Sequence, residues 1–122
     1  MEAKQTRPET RVIDFFRSRG YSVTAPTKLR GISGYDEDFD IFATKGEEEI
    51  LIDIASGECA VGPEKVVAFF AKIFDTKPKR PVLICVPSLN HDAKSLVTMY
   101  KIEAVTASDM DSVLSRLSEI FH

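Results

Sequence analysis

The chain reads as an α/β domain in three layers, α/β/α, around a central mixed β-sheet, and three observations predict it. The first is an acidic hairpin, in which Asp38-Phe39-Asp40-Ile41-Phe42-Ala43-Thr44 returns through Gly46 as Ile50-Leu51-Ile52-Asp53-Ile54-Ala55. The second is Val82-Leu83-Ile84-Cys85-Val86, a continuous apolar run that suits a strand buried on both faces. The third is a set of one-sided apolar stripes at helical spacing after the hairpin, as expected of crossover helices that cover a parallel sheet.

The elements follow in order. Thr6 and Glu9 have the spacing of a capping box, and Pro8 is tolerated in a first turn. A helix is expected from there to about Arg19, with Val12, Ile13, Phe15 and Phe16 on one side and Gly20 ending it. Tyr21 to Ala25 alternates as a strand, closed by Pro26, and Thr27 to Tyr35 is expected to be a flexible, partly basic loop. Lys45-Gly46-Glu47-Glu48 suits a type II′ turn. That turn sets Asp40 opposite Asp53 and Asp38 opposite Ala55. Alternation then places Asp38, Asp40, Asp53 and Ala55 on one face of the hairpin, and Phe39, Ile41, Ile52 and Ile54 on the other.

Ser56 to Gly62 is a loop, and Pro63 opens a second helix whose stripe is Val66, Val67, Phe70, Ile73 and Phe74. The basic turn Lys77-Pro78-Lys79-Arg80-Pro81 leads into the buried strand. Asn90 caps a helix to about Tyr100, Ile102 to Thr106 is a short strand, and Ser108 caps a last helix carrying Met110, Val113, Leu114, Leu117, Ile120 and Phe121. The order is αβββαβαβα without internal repeats, read as one domain over residues 1–122.

A chain of 122 residues buries roughly two-thirds of its unfolded surface without staples. No apolar stretch approaches the ~20 residues of a membrane span, and the polar start lacks an apolar signal core, so a cytoplasmic location is expected. Cys59 and Cys85 have neither CxxC nor Cys/His zinc spacing, and Cys85 reads as a small core residue. His91 and His122 stand alone. The formal net charge is −3, but it is unevenly spread: residues 1–61 hold 8 basic and 12 acidic side chains, residues 65–101 hold 7 basic and 2 acidic. The second stretch has a basic excess of the kind that follows a phosphate backbone.

Aspartate is depleted from strands, and like charges facing across a ladder repel. Asp40 and Asp53, facing at roughly 5 Å, therefore need compensation, and a hard divalent cation such as Mg²⁺ supplies it. The pair is a candidate metal site for Mg²⁺ or Mn²⁺.

In this layout the chain resembles the PD-(D/E)xK, or restriction-endonuclease-like, nuclease superfamily, in particular its type IV restriction and Holliday-junction resolvase branches. The residues that carry the resemblance are Glu9 near the start of the first helix, Gly31 and Gly34 before Asp40-Ile41, the tripeptide Asp53-Ile54-Ala55, and the late strand Lys101-Ile102-Glu103-Ala104-Val105. The resemblance implies Asp40 and Asp53 as metal ligands, Glu9 as an auxiliary acid, DNA as the partner, and a homodimer, since many relatives are dimers. The family's lysine falls on Ala55, where a methyl group cannot supply the electrostatic role of an ammonium. Lys65, in the first turn of the following helix, is a candidate relocated lysine. Three readings follow: a catalytically impaired module that binds duplex or junction DNA, an active Mg²⁺-dependent endonuclease using Lys65, and a structural or protein-interaction domain. The vacant lysine position favours the first.

Overall fold

The computed structural model describes residues 7–121. Its elements are α1 (Pro8–Ser18), β1 (Ser22–Thr24), β2 (Thr27–Arg30), β3 (Asp36–Phe39), β4 (Ile41–Lys45), β5 (Glu48–Ser56), α2 (Pro63–Thr76), β6 (Arg80–Val86), α3 (His91–Tyr100), β7 (Glu103–Thr106) and α4 (Met110–Ile120). Gly46 sets the register at the centre. It takes φ +61° while Glu47 keeps a negative φ, as a type II′ turn requires. Lys45 consequently faces Glu48, and Ile41 faces Ile52, as the spacing predicts.

The main sheet has the order β1-β4-β5-β6-β7. β1, β4 and β5 pair antiparallel, while β5, β6 and β7 are parallel and joined by α2 and α3 as crossovers. Val12, Phe16, Ile41, Ile52, Val82 and Leu117 are among the residues of one apolar layer, which packs α1 and α4 against one face. Phe39, Leu51, Val66, Phe69, Leu83 and Ala93 belong to the other, which packs α2 and α3. This is the expected α/β/α sandwich around a mixed sheet. Among the described residues, no helix is long and apolar enough to cross a membrane.

Three local expectations are corrected. The segment from Thr27 is not a flexible loop: β2 pairs with β3 in a separate two-stranded arm, Lys28 opposite Asp38 and Arg30 opposite Asp36. Ion pairs of 2.9 Å and 2.7 Å join those partners. Opposite charges across the ladder make an acid-rich strand tolerable. Asp38 is thus engaged with Lys28 rather than lying opposite Ala55. Second, the hairpin's first strand breaks at Asp40, so Phe39 packs in the α2 layer and Ile41 in the α1 layer. Unbroken alternation would have put both on one face. Third, Asp109 rather than Ser108 caps α4, accepting the Ser112 amide at 2.8 Å. α1 starts after Arg7 with Pro8 in its first turn and no side-chain cap. The predicted capping partner Thr6 lies outside the described residues, as does His122.

Candidate active site

β4 ends and β5 continues at Asp40 and Asp53, one step beyond the facing pair Ile41 and Ile52. Here side chains take over from the ladder. Asp53 Oδ1 accepts the amide of Asp40 at 2.9 Å, and Asp40 Oδ2 accepts the amide of Ile54 at 2.8 Å. Each carboxylate thereby satisfies a backbone donor that the strand break would leave unpaired. One oxygen of Asp40 has no donor among the described residues.

The two acids open into a cleft of about 460 Å³ between the arm and α2, lined by residues including Asp38, Phe39, Ala55, Lys65, Phe69 and Lys72. In the sheet, Asp53 lies beside Leu83 of β6, and Leu51 and Ala55 of the same strand belong to the α2 layer, so alternation turns Asp53 toward α2. There it meets Lys72, whose Nζ donates to Asp53 Oδ2 and, at 2.6 Å, to the carbonyl of Asp38. The side chains of Lys72 and Asp53 are only 26% and 15% exposed, so this pair is screened far less than a surface one. Burial pushes the Asp53 carboxyl above its ordinary value, with Asp40 adding to the rise, while Lys72 and the Asp40 amide oppose it.

The sequence-derived candidates divide accordingly. Asp40 and Asp53 converge. Lys65 lines the same cleft from an exposed position near the start of α2, but among the described residues it is Lys72, two turns along that helix, that reaches an acid of the pair. Lys72 was missed because the apolar stripe alone assigns it to the solvent side. Its signal was present, since it lies seven residues after Lys65 and three after the buried Phe69, on one helix face with both. Glu9 occupies the first turn of α1. The last turn of that helix is fastened near the β4–β5 turn by Lys45 Nζ donating to the Arg19 carbonyl at 2.9 Å. Glu9 does not line the cleft. Among the described residues, no three His, Cys, Asp or Glu side chains cluster as a metal-binding group.

The basic stretch is not a continuous stripe. Lys65 and Lys72 lie at the cleft, whereas Arg80 lies beside Ile50, toward the β4–β5 turn. Lys79 and Arg80 there pair with Glu49 at 3.5 Å and Glu103 at 2.8 Å. Cys59 is exposed and Cys85 is buried; His91 is exposed at the start of α3.

Two solved structures share this architecture. A protein of unknown function, AF1548, superposes with a TM-score of 0.72 at 13% identity over 91% of this chain and 65% of its own length. A repair endonuclease from Pyrococcus abyssi superposes with a TM-score of 0.58 at 15% identity, over 88% of this chain and 49% of its own. The chain thus spans less than two-thirds of either. At these identities the likeness is one of fold. No curated protein matches the chain. The family model Mrr_cat, restriction endonuclease, matches residues 2–114, nearly the whole sequence. On that match, with paired carboxylates where the β4–β5 ladder stops inside a restriction-endonuclease-like sheet, the chain belongs to the Mrr_cat restriction endonuclease family.

Proposed function

We propose that the chain is a divalent-metal-dependent DNA endonuclease module in which Asp40 and Asp53 hold Mg²⁺ or Mn²⁺ and Lys72 supplies the ammonium that Ala55 lacks. The observation that carries this reading is the Lys72 Nζ contact with Asp53 inside the cleft. A lysine at this place answers the electrostatic deficit that made an impaired module the favoured reading of the sequence alone.

The donors fit the metal. Facing carboxylates are hard oxygen ligands that suit Mg²⁺ or Mn²⁺ better than zinc, and Mg²⁺ commonly takes only one or two carboxylates, completing its shell with water and phosphate oxygens. When bound, such a cation would polarise a phosphoryl oxygen and help to orient and acidify the attacking water. The chain's own residues do the rest. The Asp40 and Ile54 amides fix the orientation of the two carboxylates. Lys72 places a positive charge where negative charge develops on a phosphate, and preorganised groups of this kind contribute about 10² to 10³ in rate. Glu9, in the first turn of α1 and outside the cleft lining, is not a direct ligand in this reading.

A second reading, a module that binds DNA without cleaving it, is favoured by one feature: protein donors already occupy three of the four oxygens of Asp40 and Asp53. Nicking of supercoiled plasmid in Mg²⁺ or Mn²⁺ separates the two. Metal-dependent nicking abolished by Asp40→Asn or Asp53→Asn supports the endonuclease. Salt-sensitive DNA binding without nicking supports the binding module.

A further inference from the structure

Phe39 is the last residue of β3, one position before the metal-site acid Asp40, and its side chain is only 2% exposed. A buried phenylalanine at a strand end ordinarily needs no explanation beyond packing. This one faces a charge. Lys72 Nζ lies 4.6 Å from the centroid of the Phe39 ring, well inside the ~6 Å within which an ammonium is attracted to an aromatic face. The ring is itself held. Phe69, one turn before Lys72 on α2, meets it edge-on at 6.5 Å with an interplanar angle of 85°. Three neighbours therefore surround the ammonium: the Asp53 carboxylate, the Asp38 carbonyl and the Phe39 face.

A lysine has four rotatable carbons and a compact charge, so in an open cleft it samples many positions. Reactive groups need to be held to about 0.5 Å by neighbours that are themselves locked. The arm that carries Phe39 is tied to the same helix that carries Lys72. Asp75 on α2 accepts the Ser33 amide at 2.9 Å and the Ser33 hydroxyl at 2.7 Å, and its carbonyl accepts the Ile32 amide at 2.9 Å. Ring and lysine thus belong to one fastened unit, with the clasp one turn from Lys72 on one side and the ring directly against it on the other.

From this arrangement we propose that Phe39 is a positioning residue for Lys72, its ring face fixing the ammonium at the Asp53 carboxylate. The inference rests on the endonuclease reading for its consequence in rate, but not for the contact itself. A ring serving only as core filling is replaceable by leucine. A ring acting through its face is not, and it weakens when its electron density is withdrawn without change of shape.

The full chain carrying Phe39→Leu, and chains with progressively fluorinated phenylalanines at position 39, separate the two roles. The fluorinated rings keep near-native shape, so folding is preserved even where leucine loosens the core. The Lys72 ε-methylene resonance is expected to lie upfield from the ring current and to return to the ordinary lysine position in Phe39→Leu. In Mn²⁺-dependent nicking, kcat is expected to fall roughly 3- to 30-fold across the fluorinated series, the range of a partly desolvated cation–π contact, with KM for DNA unchanged. An ε-methylene resonance that ignores loss of the ring, or a kcat indifferent to fluorination in a cleaving protein, would overturn the proposal. If the unmodified chain cleaves no DNA, the endonuclease reading fails, and the ε-methylene shift alone decides for or against Phe39.

Discussion

Asp40 and Asp53 brace one another's strands: Asp53 Oδ1 accepts the Asp40 amide, and Asp40 Oδ2 accepts the amide of Ile54, the residue after Asp53. The acids that form the candidate metal site are therefore also structural at the point where the β4–β5 ladder stops. An amide side chain keeps an acceptor oxygen at each position, whereas alanine leaves a part-buried N–H unsatisfied, at a cost of about 1 to 3 kcal/mol. Asp40→Ala and Asp53→Ala are expected to lower unfolding stability by about that much in urea titrations, and Asp40→Asn by less. Calorimetric titration with Mn²⁺ is expected to lose its signal in all of these variants. Undiminished Mn²⁺ binding by Asp40→Asn and Asp53→Asn would give the acids a purely structural role.

How much of this was legible in the sequence depended on how local each feature's cause is. Gly46 fixes the β4–β5 register through its own φ, so the facing of Asp40 and Asp53 followed from counting. Pro63 and Asn90 likewise mark the starts of α2 and α3 within their own first turns. The break at Asp40 was not legible, because its cause is reciprocal bonding between residues 13 and 14 positions apart. The β2–β3 arm was missed for a similar reason. Lys28 and Arg30 looked like loop charges until paired with Asp38 and Asp36 across a ladder. Lys72 was hidden by the opposite fault: periodicity sorts residues by apolarity, and a lysine that reaches into a polar cleft is sorted with the solvent-facing ones.

The clasp between the arm and α2 has a direct test at Gly31. A Cβ at that position would lie 1.8 Å from the Asp75 carboxylate, so Gly31→Ala must displace Asp75 from Ser33. Amide exchange at Ile32 and Ser33 is expected to accelerate in Gly31→Ala and in Asp75→Ala. Unchanged protection would mean that the arm holds its place without the clasp.

The same clasp has a pH dependence of defined sign. Hydrogen bonds from Ser33 hold the Asp75 carboxyl below its ordinary value, while a hydrogen bond with Asp75 holds Glu37 above its own. Glu37 therefore takes a proton first as pH falls, and Asp75 stays ionised into more acid solution than an ordinary aspartate. Because the folded value of Asp75 is the depressed one, its contribution is present above the unfolded value and lost as pH falls through the folded one. The Ser33 amide resonance is expected to hold its position until the pH drops below the usual aspartate range. A midpoint at the usual value would remove the link.

The two thiols are expected to differ sharply. Burial pushes Cys85 up to about 12, and its side chain is fully enclosed in the α2 layer, whereas Cys59 is exposed in the loop before α2. The thiolate is the reactive form. A thiol reagent at pH 8 is expected to label Cys59 quickly in the native protein and Cys85 only after unfolding; rapid native labelling of both would show that the strand β6 opens readily.

In the endonuclease reading, the ammonium serving the Asp40–Asp53 pair belongs to Lys72. The most direct measurement of this is the single-turnover rate of plasmid nicking in Mn²⁺ for the wild-type chain, Lys72→Ala and Lys65→Ala. A loss of about 10² to 10³ is expected for Lys72→Ala, and a change of only a few-fold for Lys65→Ala, since Lys65 lines the cleft without meeting either acid among the described residues. A Lys72→Ala variant that nicks as fast as wild type, or a wild-type chain that nicks no DNA, would contradict that reading.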